Sequence, residues 1–263
     1  MKQKQTHVAR TTLSVFALLL WVFVGIVISQ VVLGAIALSF LGDALYTPAW
    51  MTAYTAISYA LSILLVVFVP LQVAKRKESK SQTTPPKKSK NQPTATKATP
   101  QTFLRTDLGL TGLPKWRDLG LGIAGFIAYF VLAALLVYLF TIFPWFDPDA
   151  AQNLGFSGLG DTSQRLLAFV ALVIVAPIAE EILFRGWLYA KLRAKVNIWL
   201  AILLVSALFG FAHGAWNVGV NVFAMSVVMC LLRELTGTIW GGVILHILKN
   251  ALAFYLLMYT GAL

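Results

Sequence analysis

The chain has 263 residues, 59% of them hydrophobic and only 12% charged, with a mean hydropathy of +0.78. That balance excludes an ordinary soluble domain, in which about a quarter of residues are charged, and implies a chain that crosses a bilayer repeatedly. The net charge of +11 would suit a nucleic-acid partner, but its placement in alternate loops, described below, argues for no nucleic acid.

Apolar runs cover residues 13–41, 53–73, 119–143, 166–188, 198–212, 218–232 and 239–258. They predict an all-α fold, a polytopic transmembrane helical bundle of about seven spans, or eight if one run is broken. The first run is too long for the core of a secretory signal and no small-residue cleavage site follows it, so it reads as a retained span. The fifth and sixth runs are short, with only a Gly-Ala-Trp-Asn corner at 214–217 between them. Residues 1–74 therefore form a two-span N-terminal hairpin. Residues 75–101, rich in Lys, Pro, Ser and Thr, cannot bury apolar surface and are expected to be a disordered basic linker. Residues 102–263 carry five spans. Residues 103–117 read as an interfacial segment leading into the third span, with Trp116 at headgroup level.

Lys2, Lys4 and Arg10 precede the first span, eight basic residues crowd the linker, and Lys191, Arg193 and Lys195 lie between the fourth and fifth. The other loops carry Asp43, Asp147, Asp149 and Asp161. By the positive-inside rule the N-terminus is cytoplasmic, in a multi-pass protein of the plasma membrane. The basic linker can also attract anionic membrane lipid. Cys230, the single cysteine, reads as a small buried hydrophobe and excludes an internal disulfide.

Polar residues interrupt the apolar runs at Glu180-Glu181 with Arg185, at His213, at Arg233-Glu234 and at His246, Lys249 and Asn250. An ionisable side chain in hydrocarbon costs roughly 2.5–3.5 kcal/mol on insertion scales, which makes these residues functional candidates. Glu181 and Arg185 are four apart and share a helix face. Glu180 is turned about 100° away, so it needs another partner or another purpose. A carboxylate in a low-dielectric site can serve as a general base. The alternative is a charge cluster that only stabilises the helix. Pro177, three residues earlier, can kink the helix and turn the glutamates inward. His246 and Asn250 face the same way. Both can donate hydrogen bonds to a developing oxyanion, or can simply tie helices together. Arg233 and Glu234 read as anchors at the inner end of the sixth span. Gly158-Leu159-Gly160-Asp161 reads as a turn.

Glu-Glu-x-x-x-Arg (Glu180, Glu181, Arg185), Phe-x-x-x-His (Phe209, His213) and His-x-x-x-Asn (His246, Asn250) occur in that order on three apolar segments. Together they resemble the CPBP family, the CAAX protease and bacteriocin-processing (Abi) intramembrane proteases, over about residues 165–254. The resemblance implies that Glu180 activates a water, that His213 helps hold it, and that His246 and Asn250 stabilise the tetrahedral oxyanion. Glu181 and Arg185 would support the site or orient substrate. Residues 102–263 would then be a protease domain that hydrolyses a peptide bond of a membrane-associated or short peptide substrate.

Glu180, His213 and His246 would also suit catalytic zinc. There is no His-Glu-x-x-His helix, and the expectation is no cofactor. Two other functions fit the composition: a non-catalytic bacteriocin-immunity protein, and a proton-coupled transporter that uses the same groups as a relay. One tension is built into the expectation. Counted at about 1.5 Å per residue, Glu180 falls near the inner end of the fourth span and His213 near the outer end of the fifth.

Overall fold

The computed structural model describes residues 2–73, 108–150 and 160–259. The basic linker lies outside the described residues. Among the described residues seven helices account for most of the structure. Helix α1 runs from Lys2–Val27 through a π turn, Ile28–Val32, into Leu33–Leu41 and a 3-10 turn, Gly42–Tyr46. After it come α2 (Pro48–Val73) and α3 (Trp116–Phe140), then the 32-residue α4 (Thr162–Arg193). Three more follow: α5 (Ile198–Phe211), α6 (Trp216–Thr236) and α7 (Trp240–Tyr259).

Six of these are long and apolar enough to cross a membrane. Helix α5 has 14 residues, about 21 Å at 1.5 Å per residue, and falls short of a hydrocarbon core of about 30 Å. Lipid-facing character is plain on α3, where Ile123, Ile127, Val131, Leu135 and Tyr138 form an exposed apolar stripe. Small residues set the closest approaches. A Cβ on Gly210 of α5 would come within 2.7 Å of the Gly219 carbonyl of α6. The ends are capped from the sequence: Asn197 accepts from the Leu200 amide at 3.0 Å, and Asp161 accepts from the Gln164 amide at 2.8 Å. Asp161 is therefore the cap of α4. The hydroxyl of Ser163, followed by the Gln164 amide, holds its carboxyl below the usual range.

π turns interrupt three of the helices, at Ile28–Val32 and Leu64–Phe68 in the hairpin and at Val170–Val175 and Ile182–Leu188 in α4. A π turn disturbs the backbone ladder, and a carbonyl freed in a membrane must find a donor. Each of the four turns receives a side chain from another helix. Tyr54 donates to the Gln30 carbonyl at 2.8 Å and Trp21 to that of Val66 at 3.4 Å. Asn250 donates to Leu172 at 2.9 Å, and Arg233 to Arg185 at 3.4 Å.

Two expectations are corrected here. Of the segment expected at the interface, Leu108 and Gly109 are buried, while residues 112–117 are exposed. The Ile239 amide donates to the Gly109 carbonyl at 3.2 Å, and Trp240 Nε1 donates to the Gly112 carbonyl at 2.8 Å. Hydrophobic Leu108 finds room against Gly186, where a Cβ would lie 3.0 Å from its carbonyl oxygen. Trp116 is among the exposed residues. Arg233 is likewise no headgroup anchor. It is buried and lies under Gly109, where a Cβ would meet its guanidinium carbon at 2.6 Å. Glu234 does sit at a helix end, where it takes Arg193 at 3.0 Å and the Tyr189 hydroxyl at 2.8 Å. Cys230 is buried as a free thiol.

Candidate active site

The site begins with the local consequences of Pro177. Ahead of it α4 opens into the π turn Val170–Val175, and the Ala176 amide reaches back five residues to the Ala171 carbonyl. In that register the next donor would be residue 177 onto Leu172, and proline has no N–H. Asn250 of α7 fills this position from its side chain. It thereby fixes α7 against α4 about two turns before the glutamates. One of its two amide hydrogens remains for other use.

Glu180 and Glu181 follow in the short α-helical segment Ala176–Glu181, and Arg185 sits in the second π turn. Glu181 and Arg185 are both fully buried, with Nη1 to Oε1 at 2.8 Å, the pair expected from their spacing. The guanidinium carbon lies 4.5 Å from the centre of the Phe209 ring. A buried pair is held only where the geometry is good and further contacts satisfy it. Phe209 on one side and the space left by Gly242 on the other give the pair its packing, while Glu181 Oε2 and Arg185 Nε and Nη2 have no hydrogen-bond partner among the described residues. A methyl at Gly242 would sit 2.6 Å from Glu181 Oε2.

Glu180 points elsewhere, as its 100° offset requires. It is 14% exposed, and its Oε2 is 3.8 Å from His246 Nε2. The other imidazole nitrogen, Nδ1, is 3.4 Å from Glu181 Oε1. His246 therefore lies between the two carboxylates, and it is only 3% exposed. The second oxygen of Glu180, Oε1, accepts a hydrogen bond from the Tyr59 hydroxyl of α2. Lys249 is near enough to Glu180 for their charges to interact.

His213 Nδ1 is 2.8 Å from the Phe209 carbonyl. A carbonyl only accepts, so Nδ1 carries a proton, and in the neutral ring Nε2 is the acceptor. The depth tension is resolved at the same place. The rings of Phe184 and Phe209 meet at 4.9 Å. Glu180 precedes Phe184 by four residues on α4, and His213, in the turn that ends the antiparallel α5, follows Phe209 by four. Each is one turn beyond the same contact and on the same side of it, so the two share a level. The expectation ended the fourth span at residue 188, whereas α4 continues to Arg193. Glu180 is then about 20 Å from the basic end, in the middle of its helix.

The motif residues thus converge on one region of the bundle, with Phe209 at its centre: its ring meets Phe184, His213 and His246 at 4.9, 4.9 and 6.0 Å. Sequence reasoning missed Tyr59, an apolar-span tyrosine that carries no pattern. It also gave no role to Gly242, whose neighbour Gly241 hides it in an unremarkable pair. Among the described residues no three His, Cys, Asp or Glu side chains are arranged to hold one metal ion. Glu180, His213 and His246 as placed do not form such a group.

Residues 162–252 match the family model described as type II CAAX prenyl endopeptidase Rce1-like. Over 84 residues the chain is 32% identical to the "Putative membrane peptidase YdiL" of Bacillus subtilis (strain 168), a match that covers 32% of this chain and 34% of that protein. The chain thus spans about a third of the length of the relative it matches. No solved structure matches it. Glu180, Glu181, Arg185, His213, His246 and Asn250 all fall within the matched residues, whereas Tyr59 does not.

Proposed function

We propose that this chain, which belongs to the CAAX protease (CPBP) family through residues 162–252, is an intramembrane endopeptidase that cleaves a membrane-associated or short peptide with a glutamate-activated water. The observation that carries the reading is the pairing of Glu180 Oε2 with His246 Nε2 at 3.8 Å inside the bundle. That separation is too long for a direct hydrogen bond and suits two groups that bind a common third, such as a water or a substrate oxygen.

In this mechanism Glu180 removes a proton from water as the oxygen attacks the scissile carbonyl carbon. His213 Nε2, free to accept, helps hold that water. His246 and the remaining amide hydrogen of Asn250 donate to the oxyanion as it forms. The protonated Glu180 then passes its proton to the leaving amine nitrogen, and the C–N bond breaks. Glu181 and Arg185 keep the charges around His246 fixed. No covalent intermediate is required. The basic α4–α5 turn, with Lys191, Arg193 and Lys195, supports a cytoplasmic location for that end and for the N-terminus in a plasma membrane.

The test is Glu180→Gln, which keeps the shape and removes the base. Cleavage of a farnesylated CAAX peptide and of a library of unmodified peptides, read by mass spectrometry with the purified protein in detergent, should fall at least about 100-fold. Retained cleavage by a folded Glu180→Gln variant would exclude the reading. Flux of a solute or of protons, lost in the same variant in the absence of any peptidase activity, would favour the transporter instead.

A further inference from the structure

We infer that Tyr59, in the N-terminal hairpin and outside the residues that match the protease family, is a positioning residue of the active site. Its hydroxyl donates to Glu180 Oε1 and so directs Oε2 toward His246. This inference rests on the assignment of Glu180 as the base.

The argument starts from α2. Its inward hydroxyls mostly satisfy themselves on their own helix: Ser58 donates to the Thr55 carbonyl at 3.0 Å and Ser62 to the Ser58 carbonyl at 2.9 Å. Both serines are buried, and their small size lets α2 lie along the first half of α4, with which it is in contact. Tyr54 reaches out of the helix, but only to the Gln30 carbonyl of α1, so its bond closes the hairpin on itself. Tyr59 is different, because its bond crosses from the hairpin to a carboxylate in the middle of α4.

That carboxylate has few other constraints. Glu181 is clamped by Arg185 at 2.8 Å, whereas Glu180 has its nearest basic nitrogen at 3.8 Å. A glutamate side chain has three rotatable bonds, and a base held loosely does not present one oxygen to a water reproducibly. The phenol supplies the missing constraint from a rigid ring with two torsions. It occupies one oxygen and leaves the other facing His246 on α7. It does so without a second positive charge, which would compete with the proton that Glu180 must accept. The hairpin is then part of the catalytic unit. Motif matching over residues 162–252 is blind to this, because the family residues supply the base and the hairpin supplies its orientation.

The experiment compares Tyr59→Phe with Tyr54→Phe in the full chain. Each loses one hydroxyl from α2, but only the first touches Glu180. With the farnesylated CAAX peptide and the unmodified peptide library as probes, Tyr59→Phe should lower kcat by roughly 10- to 100-fold and leave KM within about twofold, since the substrate-binding groups are intact. Tyr54→Phe should keep the wild-type kcat. A readout independent of turnover is the infrared carboxylate stretch of Glu180, identified by its loss in Glu180→Gln. It should move in Tyr59→Phe and stay in place in Tyr54→Phe. If Tyr59→Phe folds poorly, 3-fluorotyrosine at position 59 keeps the shape and strengthens the donor, and should move the same band in the opposite direction. A wild-type kcat and an unmoved band, with Glu180→Gln inactive, overturn the role of Tyr59 and leave the peptidase reading intact. Retained cleavage by Glu180→Gln overturns both.

Discussion

Asn250 donates from Nδ2 to the carbonyl of Leu172 at 2.9 Å, the carbonyl that Pro177 leaves without a partner in its own helix. A residue expected to serve the oxyanion therefore also repairs the backbone of α4. The two roles separate in a stability measurement. Asn250→Ala should cost about 1–2 kcal/mol, the range for a buried acceptor left unsatisfied. In a Pro177→Ala background, where residue 177 again has an N–H, the same substitution should cost less than half as much. Unfolding of the four proteins in mixed detergent measures this directly. An equal cost in both backgrounds would mean that the Leu172 carbonyl is not what Asn250 stabilises.

Glu181 and Arg185 present the opposite case, two full charges with no exposure at all. Removing one partner strands the other in a medium that solvates it poorly. Arg185→Met should therefore destabilise the fold by roughly 3–5 kcal/mol, and Glu181→Gln should do so less, because Arg185 keeps its contact with the Phe209 ring at 4.5 Å. The double variant Glu181→Gln/Arg185→Met should recover much of the loss. Additive losses across this double-mutant cycle would show that the pair is not coupled.

Gly242 tests whether the position of Glu181 matters to chemistry. A methyl group there would lie 2.6 Å from Glu181 Oε2, so the carboxylate must shift, and with it the contact to His246 Nδ1 at 3.4 Å. Gly242→Ala is expected to reduce turnover by about tenfold or more through displacement of the site. Gly120→Ala, on the same kind of helix but with nothing within 4 Å of its new Cβ, should leave turnover unchanged. Equal activity of the two variants would show that the site tolerates a displaced Glu181.

The helical bundle and the Glu181–Arg185 pair were legible in the sequence, because apolar run length and i,i+4 spacing are local properties. What was not legible depends on contacts between distant segments. The level of Glu180 was misjudged because the hydrophobic run fades at Leu188, while the helix itself continues through Tyr189 and Lys191 to Arg193. Arg233 looked like an anchor because nothing local announces that Leu108 and Gly109 fold over it. The π turns were invisible for the same reason: each is accompanied by a donor from another helix, such as Trp21 on Val66 or Asn250 on Leu172. Tyr59 carries no motif, and its partner lies 121 residues away.

Metal dependence follows from how the candidate ligands are placed. A catalytic zinc needs three protein ligands at about 2.0–2.2 Å from one point. Glu180 uses Oε1 on Tyr59 and His213 uses Nδ1 on the Phe209 carbonyl, which leaves Oε2 and Nε2 as the atoms a metal would take. Among the described residues no three acidic, histidine or cysteine side chains gather around one point. Cleavage should therefore survive prolonged treatment with 1,10-phenanthroline, and the active protein should contain far less than one equivalent of zinc by elemental analysis. His246→Ala should lose activity that added zinc, cobalt or manganese does not restore. Cleavage abolished by the chelator and restored by zinc alone would replace the glutamate-water mechanism with a metal-bound one, and would require Glu180, His213 and His246 to move together on binding.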